Sequence, residues 1–365
     1  KLFNPKRFEF LAFEGIYFLP GYEQQLYSLF EGLLAKEKLK SSMFWLGKTS
    51  PIRKSILAKG KLGMIHTFLK DSDVEVLASF KNIDKTKALT ILETTLKIQN
   101  GEKYNINGHS VIKFDEPSTR TKISFTIAAQ KLGLDLIMLD DITSSKTKGE
   151  SLDHEIQTLL SLGVESLVIR TSKNNIEEYR NFKNIAIISA GFGKSSHPTQ
   201  SILDVATLLK YKKLDVDIPI VFIGDVKHSR VYSSTKELLN LLGFKVGIFT
   251  SEFFMPQEIE GCYIFSDWEE VISSKSTINL LRVQSERIDN IGDYDLNEYI
   301  QSYQLTSKII DRTSSDFMFL HPMPMNIGVE ISKEASENIK FKYIEQLALG
   351  VPARIASFLY ALGKI

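Results

Sequence analysis

From about residue 110 onward the chain alternates short β-branched runs with stretches of helical period, and this pattern constrains the fold more than any other feature. The first series runs SVIKF, STRTKISFTIAAQKLG, LDLIML, SLDHEIQTLLSLG, ESLVIR, a helix near IEEYRNF, NIAIISA and the helix SILDVATLLKY. Strand, helix and strand in repetition imply a parallel sheet with helices on its faces. The Lys- and Asp-rich stretch YKKLDVD interrupts the series and puts a domain joint near residue 211. A second series follows: IPIVFIGD, STKELLNLLG, FKVGIFT, WEEVISS, TINLLRV and DFMFLHP. The expected fold class is α/β, as two open, mostly parallel α/β domains. KFKYIEQLALGVPARIASFLYALGKI, residues 340–365, reads as an apolar helix able to return and cover the first domain.

With 365 residues, 43% of them hydrophobic, the chain has material for two domains with buried cores. Lys and Arg number 45 against 44 Asp and Glu, so there is no global field to capture nucleic acid or an anionic membrane, and any anion site must be local. Cys262 is the single cysteine. It excludes an intramolecular disulfide or a thiolate metal cluster and fits a reducing compartment, so a cytoplasmic location is expected. The first ten residues lack the apolar run of a signal peptide, and no window approaches the length of a membrane span. Residues 1–75 stand apart, rich in Phe and Tyr and then basic, with eleven Lys and Arg against five Glu and no Asp over residues 1–62. They read as an extra, mainly helical N-terminal segment. Its basic face is either solvated or a docking surface for an acidic partner.

In open α/β sheets ligands sit beyond the carboxyl ends of the strands, and the loops there are unusually polar. After SVIKF comes DEPSTRT, where Ser118, Thr119, Arg120 and Thr121 open a helix. Free N–H groups, hydroxyls and a guanidinium then converge as a phosphate site would require. The alternative is that Ser118 or Thr119 only caps the helix while Arg120 is solvated. After LDLIML, a loop carries Ser144, Ser145, Lys146 and Lys148, which suits an anion that must be enclosed and released but equally a solvated surface. Arg170 ends ESLVIR, and GFGKSSHPTQ carries His197 and Gln200. Together these are able to polarise a carbonyl and hold an NH2 group. GDVKHSR supplies Arg230, and LLRVQSER supplies Arg282, Gln284 and Arg287. Two strand-end arginines facing an anion site hold a dicarboxylate, or else make surface ion pairs, Arg287 with Glu116 being one. HPMP, with Met323 and Pro324, makes a rigid turn. GFGKS superficially resembles a nucleotide-binding P-loop, but that motif needs a glycine where Ile188 stands.

Seven segments in order, FDEPSTRTKISF, TSSKTKGESL, VIR, HPTQSILD, GDVKHSR, LLRVQSER and HPMP, resemble the signatures of the aspartate carbamoyltransferase family, from about residue 76 to the C-terminus. The sister ornithine family typically has HPCQ and HCLP where this chain has HPTQ and HPMP. The resemblance implies carbamoyl phosphate and L-aspartate as substrates, no cofactor or metal, and a homotrimer with shared active sites, with a regulatory or pathway partner left open. It implies residues 76–210, completed by the 340–365 helix, as the carbamoyl-phosphate-binding domain, and 211–339 as the aspartate-binding domain. Ser118, Thr119, Arg120 and Thr121 match the phosphate cradle, and Arg170, His197 and Gln200 the surroundings of the carbamoyl group. Ser144 and Lys148 match loop residues that reach a neighbouring subunit's site. Arg170, Arg230, Arg282, Gln284 and Lys148 match aspartate ligands, and Met323 and Pro324 the positions whose carbonyls meet substrate. Glu116 and Arg287 match an interdomain pair. Arg120, Thr121, Arg170 and His197 are the implied catalytic residues. Ser189, Phe192, Val231 and Met325 depart from the family's habit, and Val231 lacks a hydroxyl beside Arg230. A catalytically silent homologue serving as a partner-binding subunit is the alternative.

Overall fold

The computed structural model describes residues 74–139, 151–173, 176–182, 184–193, 196–284 and 295–365. The expected helical segment at the N-terminus, and Ser144, Lys148 and Arg287, lie outside the described residues. Strands β1 (Val76–Leu77), β2 (Gly108–Phe114), β3 (Leu134–Leu139), β4 (Val164–Thr171) and β5 (Ala186–Phe192) form one sheet in the order β1-β5-β4-β2-β3. Strands β6 (Ile220–Gly224), β7 (Val246–Phe249), β8 (Cys262–Ile264), β9 (Ile278–Leu281) and β10 (Phe319–Leu320) form a second, ordered β10-β9-β6-β7-β8. Every pairing in both sheets is parallel. The two α/β layers expected from the alternation are therefore present. The wholly buried β6 is a continuous apolar run and β5 nearly so, broken only by Ser189, as parallel strands covered on both faces should be.

Apolar residues from both sheets, such as Val168 and Ala190 with Phe222 and Leu281, join one core with the helices Lys85–Gln99, Pro198–Lys210, Arg230–Leu242 and Gly350–Ala361. Behind the first sheet, Ile156, Leu159, Tyr179 and Phe192 close a separate cluster, and behind the second Phe249, Ile278 and Phe319 do the same. Among the described residues no helix is long and apolar enough to cross a membrane.

Four sequence expectations need correction. The two edge strands β1 and β8 are too short to show a period and were not anticipated. The strand expected at NIAIISA continues to Phe192. The helix expected to begin at SILDV begins at Pro198, with His197 at its N-cap, because proline at the first helical position supplies the right φ and loses no needed N–H. Finally, 340–365 is not one helix. Phe341 bridges alongside Phe319, and the helices Tyr343–Ala348 and Gly350–Ala361 are separated at Leu349. Pro352 has no N–H for the carbonyl of Ala348, so a continuous ladder is impossible there.

Candidate active site

The carboxyl ends of β2, β4 and β5 and the start of the second sheet's first helix bring four polar groups to one place. Arg170, in β4, pairs across to Phe114 on one side and Gly191 on the other, with a register shift just before it. Its Nη1 donates to the carbonyl of Ala190 at 3.0 Å, and its Nη2 lies 3.3 Å from Glu116 Oε2. Arg230 opens the Arg230–Leu242 helix, whose N-cap Ser229 accepts the Tyr232 N–H at 3.1 Å. Both terminal nitrogens of Arg230 donate to the same Glu116 oxygen at 3.1 Å, and Nη1 also reaches the Gly193 carbonyl at 3.1 Å. Two nearly buried guanidiniums, one from each half, thus meet on a single carboxylate. Gly191 makes room for them: at φ 131° it lies in the glycine-favouring region, and a Cβ there would sit 3.1 Å from Arg170 Nη1 and 3.2 Å from Arg230 Nη1.

His197 is buried beside this pair. Its backbone N–H donates to Ser234 Oγ at 2.7 Å, and its Nδ1 is buried with no hydrogen-bond partner. Burial first, and then the charges of Arg230, Arg170 and Arg354, hold its pKa well below the usual imidazole value. The ring is neutral at pH 7, a hydrogen-bonding group and not a cation.

The Thr119–Leu132 helix starts at Ser118, whose side chain makes no cap bond, so the simple capping role is not the one seen. Thr121 is buried, while solvent reaches Thr119 and Arg120. Partial desolvation and then the charge of Arg282, from the other half, lower the Arg120 pKa. The open N-terminus of this helix beside Arg120 has the chemistry an anion requires.

On the second sheet, Gly224 lets β6 approach β9 so closely that a Cβ would stand 2.1 Å from the Leu281 carbonyl. The next residue, Asp225, is buried and accepts from the His228 N–H (3.1 Å), His228 Nδ1 (2.9 Å) and the Gln284 N–H (3.2 Å). Gln284 Nε2 donates in return to the His228 carbonyl at 3.1 Å. Burial raises the Asp225 pKa, and the His228 and Gln284 contacts oppose it. Met323 has φ 62° and precedes a cis bond to Pro324, while its N–H donates to His321 Nδ1 at 2.9 Å.

Glu116 was expected opposite Arg287 but here engages Arg170 and Arg230. The unanticipated residues are Asp204, Arg354, Asn279 and Gln346, all buried polar groups that converge near Gln200. A signal for two of them existed: single charges inside the otherwise apolar SILDVATLL and VPARIASFLY require partners. The four departures from family habit have plain packing roles. Phe192 meets Tyr179 edge to face at 5.5 Å, Ser189 Oγ accepts the Gly191 N–H at 3.2 Å, Met325 packs on the second-sheet core, and Val231 is half-buried in its helix's first turn.

The model for the aspartate/ornithine carbamoyltransferase carbamoyl-P binding domain matches residues 76–210, and that for the Asp/Orn binding domain matches residues 216–361. An aspartate carbamoyltransferase catalytic subunit from Staphylococcus epidermidis is 37% identical over 78% of this chain and 98% of its own length. The aspartate transcarbamoylase of Trypanosoma cruzi, solved in complex with carbamoyl phosphate, superposes with a TM-score of 0.66 at 26% identity, covering 79% of this chain and 95% of that one. The catalytic subunit of the M. jannaschii enzyme gives 0.67 at 27% identity, over 78% and 97%. Matched along both halves by sequence and by fold, the chain belongs to the aspartate/ornithine carbamoyltransferase family.

Proposed function

We infer that this chain is an aspartate carbamoyltransferase, which moves the carbamoyl group of carbamoyl phosphate to the amine of L-aspartate and releases N-carbamoyl-L-aspartate and phosphate, the chemistry of de novo pyrimidine biosynthesis. The observation that carries the reading is the meeting of Arg170 and Arg230 on one carboxylate beside a neutral His197. Such a pair suits a dicarboxylate and repels the ammonium that ornithine would bring. The HPTQ and HPMP segments, and relatives named for aspartate, favour the same acceptor.

Residues 76–210, with the C-terminal helix, hold carbamoyl phosphate, its phosphate on Ser118, Thr119, Arg120 and Thr121 and its carbamoyl group against Arg170, His197, Gln200 and Met323. Residues 211–339 hold aspartate through Arg230, Arg282, Gln284 and Pro324, joined by Arg170. The uncharged amine attacks the carbamoyl carbon and a C–N bond forms. Thr121, Arg170 and His197 stabilise the oxyanion, the bond to the phosphate oxygen breaks, and the amine's proton leaves with phosphate. Positioning and fixed electrostatics supply the rate. Ser144 and Lys148 enter from a neighbouring subunit of a homotrimer, and the enzyme works in the cytoplasm.

A colorimetric carbamoyl-aspartate assay on the purified chain tests this: product must appear only with both substrates. Arg282→Ala is expected to raise the aspartate KM about tenfold, as loss of a charged hydrogen-bond donor should, with carbamoyl phosphate binding spared. A folded, trimeric chain that makes no product would overturn the assignment.

A further inference from the structure

Three amides, Gln200, Gln346 and Asn279, meet the carboxyl group of Asp204 in a buried network of which the reaction above uses only Gln200. Asp204 lies on the Pro198–Lys210 helix with no solvent exposure. Its Oδ1 accepts from Gln200 Nε2 at 2.9 Å and from Gln346 Nε2 at 2.6 Å. Asn279 Nδ2 stands 3.4 Å from Oδ2. Gln346 in turn accepts, at Oε1, the backbone N–H of His321 at 2.9 Å. His321 Nδ1 receives the Met323 N–H.

The direction of this chain follows from its one unambiguous member. A backbone N–H only donates, so the end of Gln346 that meets His321 is its carbonyl, and the end that meets Asp204 is its NH2. Oδ1 of Asp204 is then the accepting oxygen. Gln200, which meets the same oxygen, does so through its own NH2. A proton on the carboxyl belongs on Oδ2, where a turned Asn279 amide would offer Oδ1, an atom with no hydrogen-bond partner. The charge of the fully buried Arg354 is also felt at Asp204, while Arg354 Nη1 is committed to the Gly350 carbonyl at 2.8 Å.

We propose that Asp204 is a positioning residue: it turns Gln200 so that the carbonyl Oε1, and not the NH2, faces the carbamoyl group, and thereby selects a phosphorylated ligand that brings an N–H donor. The orientation originates at the His321 N–H, so the HPMP turn and the Gln200 side chain are set as one unit. This deepens the carbamoyltransferase reading and rests on it.

The probe that separates orientation from general damage is acetyl phosphate, which puts a methyl where carbamoyl phosphate has its NH2. In Asp204→Leu, close in size but without an acceptor, the carbamoyl phosphate KM should rise about tenfold, the scale of one lost hydrogen bond, while the inhibition constant of acetyl phosphate moves less than about threefold. Asp204→Asn retains Oδ1 and should recover most of the loss. The proposal fails if Asp204→Leu leaves the carbamoyl phosphate KM unchanged or shifts both anions equally. It also fails if Asp204→Asn is as impaired as Asp204→Leu, since Asp204 would then serve as the counter-ion of Arg354. Should Asp204→Leu not fold, a neutron structure of the unaltered protein decides: deuterium on the Gln200 atom facing Asp204 supports the orientation, and deuterium on the opposite end overturns it. A wild-type chain without carbamoyl transfer would instead defeat the underlying reading.

Discussion

At the scale of single residues, Gly191 shows how backbone freedom serves electrostatics. A side chain there would press on both Arg170 and Arg230 from a backbone angle that L-residues rarely adopt. Gly191→Ala is therefore expected to cost about 1–3 kcal/mol of stability and to raise the aspartate KM roughly tenfold. Denaturant titration and steady-state kinetics check the two effects, and a normal KM would show that the arginines have room to yield. Asp204 makes a different kind of prediction. Burial, only partly offset by Gln346, Gln200, Asn279 and Arg354, raises its pKa to about 7. Unfolded, the group titrates near its model value of 3.8. Between those values the folded chain holds a proton that the unfolded chain has lost. The stability present below about pH 4 is therefore lost as pH rises through 7. Asp204→Asn cannot ionise, so its Tm relative to wild type should climb from pH 5 to pH 8. A flat difference would mean that Arg354 keeps Asp204 ionised across the range.

Among the elements, the Gly350–Ala361 helix does most to tie the C-terminal stretch to the first α/β half. Nearly all its residues are buried, and it lies against the Lys85–Gln99, Thr119–Leu132 and Pro198–Lys210 helices, two of which begin at candidate ligand-binding segments. Phe358 meets Phe125 edge to face at 5.7 Å, and Arg354 lies over the same Phe125 ring at 5.5 Å. Phe358→Ala removes a fully buried ring and should destabilise the fold by about 3–5 kcal/mol through lost transfer energy and the cavity left behind. Thermal unfolding measures this. A cost below about 1 kcal/mol would show that the helix docks only peripherally.

For the whole molecule, the question is how a complete site is assembled. Ile123 and Ile127 on the Thr119–Leu132 helix, and Ile137 and Met138 on edge strand β3, are exposed apolar side chains of the kind a subunit contact covers. If Lys148 acts in a neighbour's site, two dead variants must complement each other. Lys148→Ala and His197→Ala, unfolded and refolded together, should regain activity, because some interfaces of a mixed trimer join an intact His197 to an intact Lys148. Mixed trimers verified by mass that remain inactive would restrict Lys148 to its own subunit.

Much of this architecture is legible in the sequence. Short β-branched runs such as SVIKF, separated by helix-period stretches, already dictate parallel sheets, and the strand-end position of Arg170 follows from where its run stops, whereas Arg230 opens a helix beyond the end of β6 at Gly224. Local chemistry decides such features: β-branching, a proline after a strand, or a hydroxyl at a helix start. Partners distant along the chain were not legible. Glu116 lies 114 residues from Arg230, and Gln346 lies 142 from Asp204, and no periodicity relates such positions. The two-residue strand β1 likewise depends on what packs against it, whereas the break at Leu349 follows from a local signal, Pro352. Only the folded chain, by excluding water from His197 and Asp204, decides which charge each carries and which atom each neighbouring amide presents. Burial and direction are properties of the assembled core, not of any segment within it.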